Sequence, residues 1–250
     1  SKLGYQPVFL VGSRRVLSKI LDEEGSEILK EALLKRGAEL QFGESIKRVK
    51  DSREGIIVQT GTGKEYQGSL LIVGKGVSPN IEFLSSSGIA VDRGILVNKF
   101  LETSKRGIFA AGDVCQGYDI VYKKRSVNAL WPVAIEQGKH AALNMARLNI
   151  PYKGSVARNI VTTFSTTIFT AGLSNSEQWE TYRQRRGQKY SKIVLREGRL
   201  IGAIFINVKV ALGAYVFAIE NELDVSWLKS TLLSGSLSYA HFHSFLGKTH

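Results

Sequence analysis

A chain of 250 residues with 43% hydrophobic side chains and four prolines is long enough to bury a sizeable core over one to two domains, and too apolar to be disordered. Its single cysteine, Cys115, rules out an internal disulfide framework, offers no zinc pattern and suits a reducing cytoplasm. The formal net charge of +12 allows a polyanionic partner, yet no recognition helix or base-stacking motif accompanies the basic groups, which counts against nucleic acid.

In chain order, residues 5–11 read as a strand, residues 22–36 as a helix ending at Gly37, and residues 38–49 as another strand bent at Gly43. Residues 69–73 read as a further strand. It runs into G-K-G-V-S-P-N at 74–80, where glycines permit close backbone approach and Pro79 sets an extended turn. Residues 108–111 read as a short buried strand that ends at Gly112 and Asp113. A helix over 128–145 opens at Pro132. After a turn at residues 153–155 the pattern changes to alternating apolar and polar residues at 159–171. A hairpin over 190–208 turns at R-E-G-R, 196–199, and a helix follows at about 211–222. The near-apolar window 202–219 is interrupted by Asn207 and Lys209, so it reads as a strand and core helix and not as a membrane span. No signal peptide is recognisable at the start of the sequence, and there is no internal repeat or low-complexity stretch.

The chemistry-bearing residues are few. Asp113 follows Gly112 at the carboxyl end of a strand, where open α/β sheets bind ligands, and a carboxylate there can accept hydrogen bonds from sugar hydroxyls. Cys115 reads as a small core residue, and His241 with His243 as part of an aromatic tail and not a ligand pair. Basic groups cluster at Lys123, Lys124 and Arg125 and at Arg183, Arg185, Arg186 and Lys189. No side chain reads as a general acid, general base or nucleophile.

G-I-F-A-A-G-D-V at 107–114, followed by W-P-V-A-I-E-Q-G at 131–138, resembles the carboxyl half of the pyridine nucleotide-disulfide oxidoreductases. Within that family it is most similar to the NADH:rubredoxin oxidoreductase type and to the flavin-binding part of NADH-dependent nitrite reductases. The resemblance implies an α/β protein with partial Rossmann-like NAD(P)- and FAD-binding domains, followed by an α+β C-terminal interface or dimerisation domain. The implied boundaries are 1–78, 79–152 and 153–250. Gly112 and Asp113 would hold the ribityl and pyrophosphate side of FAD, and the backbone at Pro132 and Val133 would meet the isoalloxazine edge. Trp131, Glu136 and Gln137 would line or support that pocket. Gly12, Ser13, Arg14 and Arg15, with Gly74 and Gly76 of a segment similar to the family's G-x-x-P-N signature, would touch the nicotinamide nucleotide.

The family's glycine-rich G-x-G-x-x-G turns do not occur in this sequence. Ser1 therefore reads as a mid-protein start, with K-L-G as the last turn of a preceding helix. A missing amino-terminal half or companion subunit would supply the remainder, including any redox cysteines. The expected function is hydride transfer from NAD(P)H to FAD and electron transfer onward to a protein redox partner or small acceptor. The alternative is a non-catalytic assembly module with degenerate dinucleotide folds. No acid stands at Val11–Arg15 to hold a ribose 2′-hydroxyl, so NADPH stays open, while the resemblance favours NADH. The basic surface suits a small acidic electron carrier of the rubredoxin or ferredoxin type, and a homodimer is compatible with the interface domain.

Overall fold

The computed structural model describes residues 4–243. The helical turn expected at K-L-G begins outside the described residues. The chain divides into two compact units, one of residues up to Lys75 with Thr162–Thr166, the other of Gly76–Val161 with residues from Thr167 onward.

In the first unit, β1 (Val8–Val11) pairs in parallel with β2 (Glu39–Phe42), in register from Val8 opposite Glu39 to Val11 opposite Phe42. Parallel neighbours need a crossover. It is α1 (Glu23–Leu34), whose buried Ile28, Leu29 and Leu33 form its inner face. Asp22 caps the helix by accepting the Gly25 amide at 3.0 Å, as short polar side chains at that position do. The strand expected over 38–49 is in fact two strands in two sheets. The chain turns at Gly43, and β3 (Ile46–Ser52) joins β4 (Gly55–Thr60) and β5 (Glu65–Gly68) in an antiparallel meander. The strand expected at 69–73 is not formed. Leu70, Ile72 and Val73 are exposed, because an apolar β-type run becomes a strand only beside a hydrogen-bonding neighbour, and none pairs with it among the described residues.

The second unit opens with a small sheet in which β6 (Ile95–Leu96) runs parallel to β7 (Cys115–Asp119), and β7 antiparallel to β8 (Lys124–Ser126). The buried strand expected at 108–111 is reduced to a single bridge between Phe109 and Glu102. Ala110 is buried, but Ile108 is 46% exposed, since one bridge does not cover both faces of a strand. α2 (Trp131–Met145) starts at the expected proline.

The rest is a five-stranded sheet in the order β11 (Glu180–Arg186), β12 (Lys189–Arg196), β13 (Arg199–Ile206), β10 (Thr166–Gly172), β9 (Arg158–Thr163). The alternating run at 159–171 thus folds back on itself as β9 and β10, and β11 was not foreseen. The β12–β13 hairpin turns through Glu197 and Gly198 with φ of 52° and 75°, the left-handed pair of a tight hairpin turn. α3 (Leu212–Glu220) packs on this sheet, where Phe205 sits 4.8 Å edge-on to Tyr215 and 6.2 Å from Phe169, ring centre to ring centre. Ile193, Val194, Leu195 and Ala218 are part of the same buried apolar core. No helix among the described residues is long and apolar enough to cross a membrane.

Candidate functional site

In the second unit the Gly112–Asp113 turn folds against α2. Gly112 has φ +82°, and a β-carbon there would stand 3.5 Å from that of Ala134. That distance is ordinary contact, so it is the left-handed backbone that favours a glycine here. Its amide donates to Gln137 Oε1 at 2.8 Å, and its carbonyl accepts the Cys115 amide at 2.8 Å, which starts β7. Gln137, 2% exposed, is thereby committed to holding the turn from behind.

Asp113 is exposed and makes no hydrogen bond or ion pair among the described residues. It lines an open cavity of about 500 Å³ with Trp131, Ala134 and Ile135. The same cavity therefore borders the amino end of α2. Leu130 offers that end no side-chain cap, Pro132 lies in the first turn, and no acid stands there. The amino end of a helix carries unmet amides and a positive dipole end. Trp131 is 81% exposed at the cavity rim, while the Val133 side chain is fully buried, leaving only its backbone for a ligand. Glu136 does not line the cavity. Its Oε1 accepts Arg158 Nη2 at 2.8 Å.

Two nearby groups are inert. Burial pushes the Cys115 thiol up to about 12, so it is held as a neutral core group. Burial likewise raises Tyr152, whose hydroxyl is buried without a hydrogen bond among the described residues. Farther along the chain, His241 Nδ1 lies 3.1 Å from Ser238 Oγ in a capping arrangement, and no metal-ligating cluster occurs among the described residues.

In the first unit, the loop after β1 treats its two arginines differently. Ser13 Oγ donates to the Arg15 carbonyl at 2.7 Å, and Arg15 Nη2 turns inward to the Leu21 carbonyl at 3.4 Å. Its Nε is buried with no hydrogen bond among the described residues. Arg14 is exposed and makes no hydrogen bond or ion pair among the described residues. Gly12 begins this loop, and Lys75 Nζ lies 4.0 Å from where its β-carbon would be. Sequence reasoning missed Lys75, and it missed Glu44, whose amide donates to the Val11 carbonyl at 3.2 Å. The Glu44 side chain is buried and accepts Thr62 Oγ1 at 2.7 Å and Lys64 Nζ at 3.0 Å. Hydrogen bonds from Thr62, Thr60 and Lys64 hold its carboxyl below the usual range. Both oxygens of that acid are already engaged within the unit. Gly74 lies in the exposed segment of this unit, whereas Gly76, with φ +85°, belongs to the second.

A parallel βαβ element, and separately a Gly-Asp turn docked on a proline-started helix beside an open cavity, define an α/β protein of the dinucleotide-binding class. Residues 1–138 match the family model described as pyridine nucleotide-disulphide oxidoreductase, and the chain belongs to that family. It is 28% identical over 217 residues to the nitrite reductase [NAD(P)H] of Bacillus subtilis, covering 84% of this chain and 26% of that protein. To the NADH-rubredoxin oxidoreductase of Clostridium acetobutylicum it is 29% identical over 203 residues, covering 79% and 47%. Among solved structures, the putidaredoxin reductase–putidaredoxin complex matches with a TM-score of 0.82 at 20% identity, over 99% of this chain and 60% of that one. The last likeness supports the fold. The chain spans less than half the length of the two curated relatives named above.

Proposed function

We propose that this chain supplies flavin- and nicotinamide-binding parts of an oxidoreductase that passes hydride from NAD(P)H to FAD, and electrons onward to a protein redox partner or a small acceptor. The observation that carries the reading is the Asp113 carboxylate, which has no hydrogen-bonding partner among the described residues and borders an open cavity at an uncapped helix amino end. These groups suit FAD, whose ribityl hydroxyls donate hydrogen bonds and whose pyrophosphate and pyrimidine ends favour positive dipoles. FAD, when bound, accepts the hydride and releases electrons singly or in pairs.

The protein's part is placement. Asp113 accepts ligand hydroxyls, Gly112 keeps the approach clear, the first turn of α2 presents its amides at Trp131 and Val133, and the Val133 side chain closes the space behind. Gly12 to Arg15, Gly74 and Gly76 are assigned to the nicotinamide nucleotide. The exposed Arg14 suits a 2′-phosphate, whereas the relatives named for NADH favour that coenzyme. Residues 1–78 are read as the NAD(P)-binding part, 79–152 as the FAD-binding part and 153–250 as an interface or dimerisation part.

An acidic carrier of the rubredoxin or ferredoxin type is the favoured partner. The net charge of +12 and the basic edge strand β11, with Arg183, Arg185 and Arg186, support it. A cytoplasmic setting suits the lone buried thiol.

The test is the absorbance spectrum of the whole protein. Flavin bands that bleach with NADH or NADPH are expected, the faster coenzyme deciding the preference. Asp113→Ala should lose FAD on gel filtration. A colourless wild type would favour the assembly-module reading, and full retention of flavin by the variant would refute the role of Asp113.

A further inference from the structure

Glu136 and Gln137 are neighbours on α2, yet their side chains are committed in different directions. Gln137 accepts the Gly112 amide at 2.8 Å, one residue before Asp113. Glu136 Oε1 takes Arg158 Nη2 at 2.8 Å, and the same guanidinium gives Nη1 to Glu220 Oε1 at 3.0 Å. Arg158 opens β9 and Glu220 ends α3. One fork thus ties the cavity-bordering helix to two elements of the C-terminal layer. The Arg158 side chain is only 17% exposed. In so shielded a place a planar fork contributes geometry as well as charge, and a lysine cannot span the same pair of carboxylates with parallel donors. The helix has a second brace on the same turn, where His140 Nδ1 lies 2.9 Å from the Glu136 carbonyl and the His140 ring meets Tyr152 edge-on at 5.1 Å.

We propose that Arg158 is a positioning residue for the flavin site: by holding Glu136 it sets the first two turns of α2, and through Gln137 it sets the Gly112–Asp113 turn. It touches no cofactor. The proposal rests on the flavin reading above and adds to it a residue that lies outside both motifs of the site. It also gives the adjacent acid and amide of the E-Q pair separate tasks, one facing the C-terminal layer and one the turn. A change in α2 of a fraction of an ångström displaces every group that borders the cavity, and placement is the whole of the protein's contribution here.

The test uses the whole protein with Arg158→Met, Arg158→Lys and Glu220→Gln. In the flavin-free form, amide hydrogen exchange over Ala134 to Gln137, the first amides bonded within the helix, should quicken about tenfold or more in Arg158→Met, the factor expected for the loss of a charge-assisted hydrogen bond. In the loaded form, FAD should dissociate faster by a similar factor, and the visible flavin band should shift. Lysine should restore part of both effects. Glu220→Gln, which leaves the bond to Glu136 in place, should change both by less than Arg158→Met.

Wild-type exchange and wild-type FAD release in Arg158→Met would overturn the proposal while leaving the flavin reading intact. If Arg158→Met does not fold, Glu136→Gln, which removes the charge that Arg158 holds, takes its place, and wild-type exchange and FAD release there would overturn the proposal. A wild type that binds no FAD fails the flavin reading itself, and the exchange measurement then reports on the clamp alone.

Discussion

At the scale of single residues, the G-D pair works because of a side chain twenty-five positions away in the chain. Gln137 Oε1 is the acceptor for the Gly112 amide, and replacing it with leucine would leave that amide without its partner against a buried helix face. Gln137→Leu should cost about 1–3 kcal/mol, read as a lower denaturant midpoint at unchanged slope. Cys115 makes the opposite case, a residue beside a functional motif that takes no part in it. Its thiol is raised by burial from 9.0 to about 12, so the neutral form is the one the fold accommodates. The native protein should resist thiol reagents at pH 8 and react only on unfolding. The linkage sign follows, since the unfolded chain releases this proton near pH 9 while the folded chain keeps it until about 12. The contribution is fully present below pH 9 and is lost across pH 9–12. A Cys115→Ala protein should lack that part of the alkaline decline in stability.

Among the elements, the β12–β13 hairpin with α3 on its face is the most self-sufficient. Strands buried nearly end to end, a two-residue left-handed turn and an apolar helix all agree, which is the condition for a segment to be legible locally. Its centre is Phe205, 1% exposed and flanked by Phe169 and Tyr215. Phe205→Ala should cost about 3–5 kcal/mol, visible as a lower melting temperature of the second unit. Residues 69–73 show the converse. Their apolar β-type composition reads as a strand, but strand formation depends on a hydrogen-bonding neighbour that composition does not report. The same lack of neighbours reduces residues 108–111 to one bridge, even though the Gly-Asp turn that follows is well formed.

For the whole molecule, the excess of positive charge is a statement about association, not about fold. Basic residues on an edge strand also discourage strand-to-strand aggregation, so β11 serves a structural purpose whichever partner it meets. If the partner is a small acidic carrier, its reduction should slow by about tenfold or more as salt screens the approach, while affinity for random duplex DNA stays weak at every salt concentration. Stopped-flow reduction at increasing ionic strength, alongside a DNA-binding titration, separates the two. A rate indifferent to salt would remove the carrier from consideration.

Helix starts at Asp22 and Pro132, the hairpin at 196–199 and the family motifs were legible from residues alone, because each depends on capping chemistry, turn geometry or a contiguous pattern of side chains. That Asp113 and Trp131 border one cavity was expected only from the resemblance of the two motifs, since nothing local joins positions so far apart. Which neighbour each acid serves was not legible. Glu44 is locked by Thr62 and Lys64, one oxygen of Glu136 belongs to Arg158, and among the described residues nothing bonds either oxygen of Asp113. Those assignments join residues far apart in the chain, and only the folded backbone brings such donors within hydrogen-bonding distance.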